Sequence, residues 1–553
     1  MFEKEIIRLL KKETKQKNIT LEIPPNPDLG DFAFPCFILA KQHQKNPNEI
    51  ALELSMKIKP TELLEAIVPK GPYLNFFLNR SKLSELTLKS ILKEKDKYGS
   101  YLVGKGKTAL IEHTSINPNA APHVGRARNA IIGDSITRLL KFQGYKTEVH
   151  YFVNDVGKQI AILVLGIGSK KPEFKKLLNI YSKTYNKIRK SKKLEQQAFI
   201  LLKKFEEGDK ETIKRFNHVV DICIKGQIET LSKLNVKYDV FDYESKYLFD
   251  KKIKEILAKL EKTNQLITDK DNRKVLNLSS FNLPTKEPYF VLTRSDNTSL
   301  YSLRDIAYTL DKIKKSKTKN IIVLGEDQKL YFQQIKAALS LLKQQAPQVI
   351  HYSHILLAGG NKMSTRTGDV VLLEDFIKEA VKKAENELKK RKSRNIKKIA
   401  SVIGIGAVKY SILKVSPDKN IVFDWDSALS FEGDTSQYIQ YVYARASSIL
   451  KKAKINHSNP NYLMISLPEE INLINKLYKF PETVYKATIE LKPYIIANYL
   501  YQLAQIFNDF YHKCQCISED RELTKTRLAI VAATRHVIKN GLNILGIDVT
   551  EKM

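Results

Sequence analysis

Three short stretches carry side chains whose types and spacing suit nucleotide chemistry. In NPNAAPHVGRARNA, Asn117 to Ala130, His123 and Gly125 open a helical run and Arg126 follows the glycine directly. A helix start aims free N–H groups and a positive dipole at phosphate, Gly125 lets a nucleotide approach the backbone, and His123 can hydrogen-bond to phosphate oxygens. The turn fits an ATP cradle. KMSTRTG, Lys362 to Gly368, lies between two apolar runs; its Lys362, Ser364, Thr365 and Arg366 can close over a triphosphate and stabilise charge on departing pyrophosphate. The third set is Glu112 in LIEHTSIN, Tyr301 and Asp305 in SLYSLRDIAY, and Gln328 in VLGEDQ. Ligands of open α/β sheets sit beyond the carboxyl ends of strands, where these groups fall. Two acids beside a phenol suit a cation, and carboxylates hold the fork of a guanidinium best. Singly, each set has an ordinary explanation: a histidine that caps or packs, a solvated basic loop, a surface salt bridge.

The elements that position these groups follow from periodicity. TALIEHT, a helical run from Ala127 to Phe142 that stops at Gly144, and TEVHYFV predict strand, helix, strand, the opening of a parallel sheet. Residues from about 165 to 262 are lysine-rich and helical, and predict an insertion before strands return at YFVLTR and NIIVLG. HILLAGGNKMSTRTGDVVLLEDF predicts a strand, a Gly-Gly break, the basic loop and another apolar strand. After about residue 376 every segment reads as helix, with apolar stripes in YIQYVYARASSILKKA and LAIVAATRHVIKNGLNIL. The first 100 residues mix helix (FEKEIIRLLKKE) with strand (YLNFFL). In that strand Tyr73, Asn75 and Phe77 share one side, a face that can stack on and hydrogen-bond to an unstacked base, or pack as a plain sheet on helices. The fold class is therefore α/β plus all-α. Its expected parts are an N-terminal α+β module (1–100), a parallel-sheet domain with a helical insertion (101–375), a helical connector (376–430) and a helical bundle (431–553).

Composition narrows the function classes. With 553 residues the chain needs several cores, and no window approaches the roughly 18 apolar residues of a membrane span. A charged, amphipathic N-terminus is unlike a secretory signal, so a cytoplasmic protein is expected. Cys36, Cys223, Cys514 and Cys516 form no C-x-x-C pair, and no protein metal site is expected. A formal net charge of +33 permits a polyanionic partner.

As an ordered set, EHTSINPNAAPHVGRARNAIIGD, YFVNDVGKQ, SLYSLRDIAY, VLGEDQKLYFQQ, KMSTRTG, FDWDSALSFEGDTSQYIQYVYAR and ATRHVIKNGLNILGI resemble class I aminoacyl-tRNA synthetases, specifically the arginyl-tRNA synthetases of archaeal type. GDFAFPCFILAK and GPYLNFFL resemble that family's N-terminal module, so the likeness spans nearly the whole chain. The resemblance implies a Rossmann-like catalytic domain that joins L-arginine to tRNA(Arg) through an arginyl-adenylate, as a monomer, with Mg²⁺ carried by ATP and no membrane contact. HVGR stands for the HIGH signature, so His123 and Gly125 would bind ATP; KMSTR stands for KMSKS, which assigns Lys362, Met363 and Ser364 to the same ligand. Glu112, Thr114, Asn117, Tyr301, Asp305 and Gln328 match positions that hold arginine. The N-terminal face of Tyr73, Asn75 and Phe77 would meet the tRNA D-loop, and Tyr438, Tyr441, Tyr443 and Arg445 the anticodon. Three departures stand out: Arg126 for the second histidine, Thr365 for the second loop lysine (usual in this family), and Ala120 where such members often carry a lysine. Arg126 and Arg366 are expected to supply the missing phosphate charge. The alternative is a paralogue with a decayed ATP site that only binds tRNA. A synthetase for a neutral amino acid conflicts with two pocket carboxylates, which would be left unpaired.

Overall fold

The structure, a computed structural model, describes residues 2–119, 121–168, 172–248, 250–316, 318–357, 371–390 and 395–553. The chain forms two compact units, one of Met1–Tyr98, Arg445–Phe480 and Leu503–Val537, the other of Gly99–Ala444, Pro481–Gln502 and Ile538–Met553. Among the described residues no helix is long and apolar enough to cross a membrane.

In the first unit, strands β1 (Phe32–Pro35), β2 (Leu64–Lys70) and β3 (Tyr73–Leu78) make an antiparallel sheet in the order β1-β3-β2. The period of two in YLNFFL sends Leu74, Phe76 and Leu78 into a core shared with Phe2, Ile6 and Leu10 of the first helix. Tyr73, Asn75 and Phe77 take the opposite face, where Ala33 and Val68 flank Asn75.

The second unit is built on five parallel strands: β4 (Thr108–Glu112), β5 (Lys146–Val153), β6 (Val240–Tyr243), β10 (Lys319–Gly325) and β11 (Gln348–Tyr352). Their order is β11-β10-β4-β5-β6. The chain moves outward from β4 to β6, then returns to β10 on the other side of β4 and moves outward again. The reversal between β4 and β10 opens a crevice at the strand ends, where ligands of such sheets bind. A three-stranded antiparallel sheet of β7 (Leu266–Thr268), β8 (Lys274–Asn277) and β9 (Tyr289–Val291) lies before β10 in the chain.

Four departures from the periodicity reading have physical causes. The helix expected from Ala127 begins at Val124, because His123 already ends the extended backbone. The segment expected to be helical to about residue 262 contains β6, whose four residues are too few to show a period between lysine-rich helices. The strand expected at VVLLEDF is instead a helix from Leu373, with Glu374 and Asp375 in its first turn, where acids favour a helix. Within the part expected to be all helix, β13 (Ile421–Phe423) pairs in parallel with β12 (Ile355–Leu357).

One buried cation braces this second unit. Arg128, on the Val124–Phe142 helix, is fully buried. Its Nη1 donates to the carbonyls of Ser353 (2.7 Å) and His354 (3.2 Å), and Nη2 to those of Ser416 (3.1 Å) and Lys419 (2.7 Å). These carbonyls lie just before β12 and β13, so one guanidinium fixes both strands against the helix. Burial pulls its pKa down to about 10, which keeps it charged at neutral pH. Arg128→Met strands several buried carbonyls and is expected to cost about 3–5 kcal/mol, read from the shift of the urea midpoint. A shift below about 1 kcal/mol would remove the brace from this account.

Candidate active site

The first part of the candidate site is the start of the Val124–Phe142 helix. His123 is its N-cap residue, in extended backbone, with no capping bond from its side chain. An isolated bridge joins His123 to Leu372, with Val124 N–H donating to Val371 O at 3.1 Å and Leu373 N–H to Pro122 O at 2.8 Å. The chain leaving the KMSTR segment is thereby pinned to the helix start. Burial, aided by the charge of Arg126, pulls the His123 pKa down to about 4, so the ring is neutral and donates from one nitrogen only. Its Nδ1 is buried without a partner. Gly125 has a second reason to be glycine besides phosphate approach: a Cβ there would lie 3.0 Å from His123 Cε1 and Nδ1.

Arg126 sits in the first turn of this helix, where a cation opposes the dipole. Among the described residues no carboxylate pairs with it. Such a guanidinium is placed to be neutralised by an arriving anion. Ala120, Lys362, Met363, Ser364, Thr365 and Arg366 lie outside the described residues.

The second part of the site is at the strand ends. Glu112 ends β4 and is buried. Thr114, two residues on, holds φ +64°, a left-handed conformation that is a genuine outlier for a β-branched residue. Asn129 imposes it: its Oδ1 accepts from Thr114 N–H at 2.9 Å while its Nδ2 donates to Val323 O of β10 at 3.0 Å. Strain kept in this way marks a site where backbone direction matters more than comfort.

The helix Tyr301–Lys315 supplies the rest. Positions 301, 305, 308 and 312 fall on one face at helical spacing, so Tyr301, Asp305, Tyr308 and Lys312 form one stripe. Tyr331 Oη donates to Asp305 Oδ2 at 2.5 Å, and its ring lies 5.4 Å from that of Tyr301. Burial raises the Asp305 pKa to about 6; the Tyr331 hydrogen bond opposes the rise and the charge of Glu112 adds to it. Lys312 Nζ donates to Glu112 Oε2, both side chains being buried.

The structure thus unites Glu112, Asp305 and Tyr301, and adds Tyr331 and Lys312. Gln328 is exposed in the turn after β10, its amide on Asp327 at 3.1 Å. Asn117 donates to Gln159 at 3.0 Å, as does Asn119. Lys312 was detectable in principle, since it lies seven residues beyond Asp305 on the same face; Tyr331, on the next helix, had no such signal.

Among the nucleic-acid candidates, Tyr73 and Phe77 are half-exposed, whereas Asn75 is buried between them with its Oδ1 unpartnered. Phe37 widens that face, edge-on to Tyr73 at 5.6 Å. Arg445 lies 4.4 Å over the Tyr511 ring and donates to Asn508 at 2.9 Å. Tyr438 lies 5.9 Å from Tyr501, and Tyr441 is half-exposed. Tyr443, by contrast, is only 7% exposed.

Comparison with known proteins adds independent findings. Residues 87–425 match the catalytic domain described as tRNA synthetases class I (R), residues 439–553 the DALR anticodon binding domain, and residues 1–78 the arginyl tRNA synthetase N terminal domain. The chain is 39% identical over 532 residues to an arginine–tRNA ligase of Methanocella arvoryzae, covering 94% of this chain and 92% of that protein. It is also 39% identical over 573 residues to the arginine–tRNA ligase of Methanocaldococcus jannaschii, covering 100% and 98%. Among solved structures, Thermus thermophilus arginyl-tRNA synthetase superposes with a TM-score of 0.84 at 27% identity, covering 100% of this chain and 99% of that one.

Proposed function

Since the chain belongs to the class I arginyl-tRNA synthetases and is an ATP-using arginine–tRNA ligase, we propose which of its residues carry out each step. The arginine carboxylate attacks the α-phosphorus of ATP in line, giving arginyl-adenylate and pyrophosphate, and a ribose hydroxyl at the tRNA terminus then takes the acyl group. Positioning and phosphate charge stabilisation suffice for this chemistry, with no covalent enzyme intermediate.

In this reading the neutral His123 ring donates to a phosphate oxygen, Gly125 admits the nucleotide to the helix start, and Arg126 takes the charge role that a second histidine has in HIGH. Lys362, Met363, Ser364 and Arg366 close over the pyrophosphate, their role resting on sequence alone. Mg²⁺ would enter with ATP and would neutralise the charge of the triphosphate. Asp305 and Glu112 receive the guanidinium beside Tyr301, Thr114 shapes the pocket backbone, and Asn117 and Gln328 turn from their present partners to the α-amino acid end. Tyr73, Asn75 and Phe77 meet the tRNA D-loop; Tyr438, Tyr441 and Arg445 meet the anticodon. The working layout is 1–100 for the N-terminal contact, 101–375 for catalysis, 376–430 as connector and 431–553 as anticodon reader, acting as a cytoplasmic monomer.

The observation that carries these assignments is the pairing of a strained strand end, Glu112 to Thr114, with the Tyr301–Asp305 face. Their test is pH. A guanidinium needs the ionised form of Asp305, which is fully present above about pH 7 and is lost as pH falls through about 6. In aminoacylation of tRNA(Arg), the arginine KM should be flat above that range and rise by roughly tenfold per unit below it. Asp305→Asn should abolish the inflection. An arginine KM that is flat from pH 5 to 8 in the parent enzyme would remove Asp305 from the pocket.

A further inference from the structure

Lys312 is a cation that the arginine pocket already contains. Its side chain is 2% exposed, as buried as that of Glu112 at 8%. Besides donating to Glu112, its Nζ lies 4.3 Å from the centroid of the Tyr308 ring. Tyr308 in turn stacks on Phe152 at 4.6 Å and donates to Asp242 Oδ2 at 3.1 Å. Asp242 Oδ2 also faces His150 Nδ1 at 2.5 Å, and His150 Nε2 faces Glu148 Oε1 at 2.6 Å. The ammonium is therefore held in place by an aromatic face on one side and a carboxylate on the other, with a fixed network behind the aromatic ring. Arg304 stands beside this pair: its Nε donates to Glu244 at 2.7 Å, and its charge also acts on Asp305.

We propose that Lys312 is the resident counter-cation of the arginine pocket, a positioning and specificity residue that pairs with Glu112, fixes its direction and leaves Asp305 to take the incoming guanidinium. Two carboxylates and one ammonium match a single incoming guanidinium; two bare carboxylates would not. Without the ammonium, buried Glu112 would lose its partner and turn away, since an unpaired buried charge is costly. Arginine would then have to reverse that change in order to bind. This inference rests on the reading of Glu112 and Asp305 as the arginine site.

The experiment measures steady-state charging of tRNA(Arg) by the full chain with Lys312→Met, which keeps the packing of the stem, and with Lys312→Ala, which leaves room for a small amine. Both should raise the arginine KM by about thirtyfold or more, with the ATP KM and kcat little changed. Added propylammonium should restore a good part of the loss in Lys312→Ala and none in Lys312→Met, a response that a purely structural brace would not give. If Lys312→Met keeps the parent's arginine KM, or if all constants fall together with the melting temperature and no amine helps, the proposal is overturned. Asp305→Asn run alongside separates the two levels: if it too leaves the arginine KM unchanged, the pocket assignment itself has failed; if it raises KM while Lys312→Met does not, only the role of Lys312 has.

Discussion

Asp305→Asn is expected to raise the arginine KM by roughly 30- to 1,000-fold while the ATP KM stays near the parent value. That is the loss expected when one member of a desolvated charge pair is made neutral, about 2–4 kcal/mol. The effect should be this large because Asp305 is a prepared acceptor. Tyr331 holds one of its oxygens at 2.5 Å, and the packed Tyr301–Tyr331 rings fix the direction of that hydroxyl. Asparagine keeps the shape but replaces one oxygen by a donor facing a ligand that has only donors. Equilibrium binding of arginine to the variant, measured beside KM, checks that the loss lies in binding. Unchanged arginine KM and turnover in Asp305→Asn would place the guanidinium elsewhere.

The second large effect concerns Arg126. Arg126→Ala should lower the single-turnover rate of adenylate formation by roughly 10²–10³ and leave arginine affinity nearly intact, because a donor aimed at transition-state charge contributes little to the ground state. The structural basis is a guanidinium that no carboxylate pairs with among the described residues, in the first turn of the His123 helix, one residue beyond Gly125. A guanidinium cannot lose its proton at neutral pH and offers a fixed fork to phosphate oxygens, so it can replace an imidazole and part of a missing lysine, with stricter geometry. Arg366→Ala and the double variant apportion the charge between helix and loop. If all three react at the parent rate, neither arginine compensates for Ala120.

The sequence disclosed the site unevenly, for physical reasons. Glycine, proline and apolar period mark where chains turn and which faces are buried, so the strand, helix, strand around His123 and the strand-end position of Glu112 were legible. The α+β character of the N-terminal unit was legible from YLNFFL by the same logic. What escaped were features set by partners far away in sequence. Lys312 reads as one more lysine in a lysine-rich helix until Glu112, 200 residues earlier, is placed against it. The strain at Thr114 depends on Asn129 and β10, and the brace at Arg128 on carbonyls more than 220 residues later. VVLLEDF misled because apolar residues before a helix and within a strand look alike over so few positions, and acids at 374 and 375 were the better guide.

The central claim is that a preformed anionic pocket at the end of β4 selects the guanidinium of arginine next to the ATP cradle. Its most direct measurement is amino-acid-dependent ATP–pyrophosphate exchange in the presence of cognate tRNA, comparing arginine with citrulline, which has the same shape and a neutral urea in place of the guanidinium. Exchange is expected with arginine, at a specificity ratio over citrulline of at least about 10⁴, since the neutral analogue leaves the Asp305 carboxylate without a cation. Comparable exchange with citrulline, or none with arginine, would contradict it.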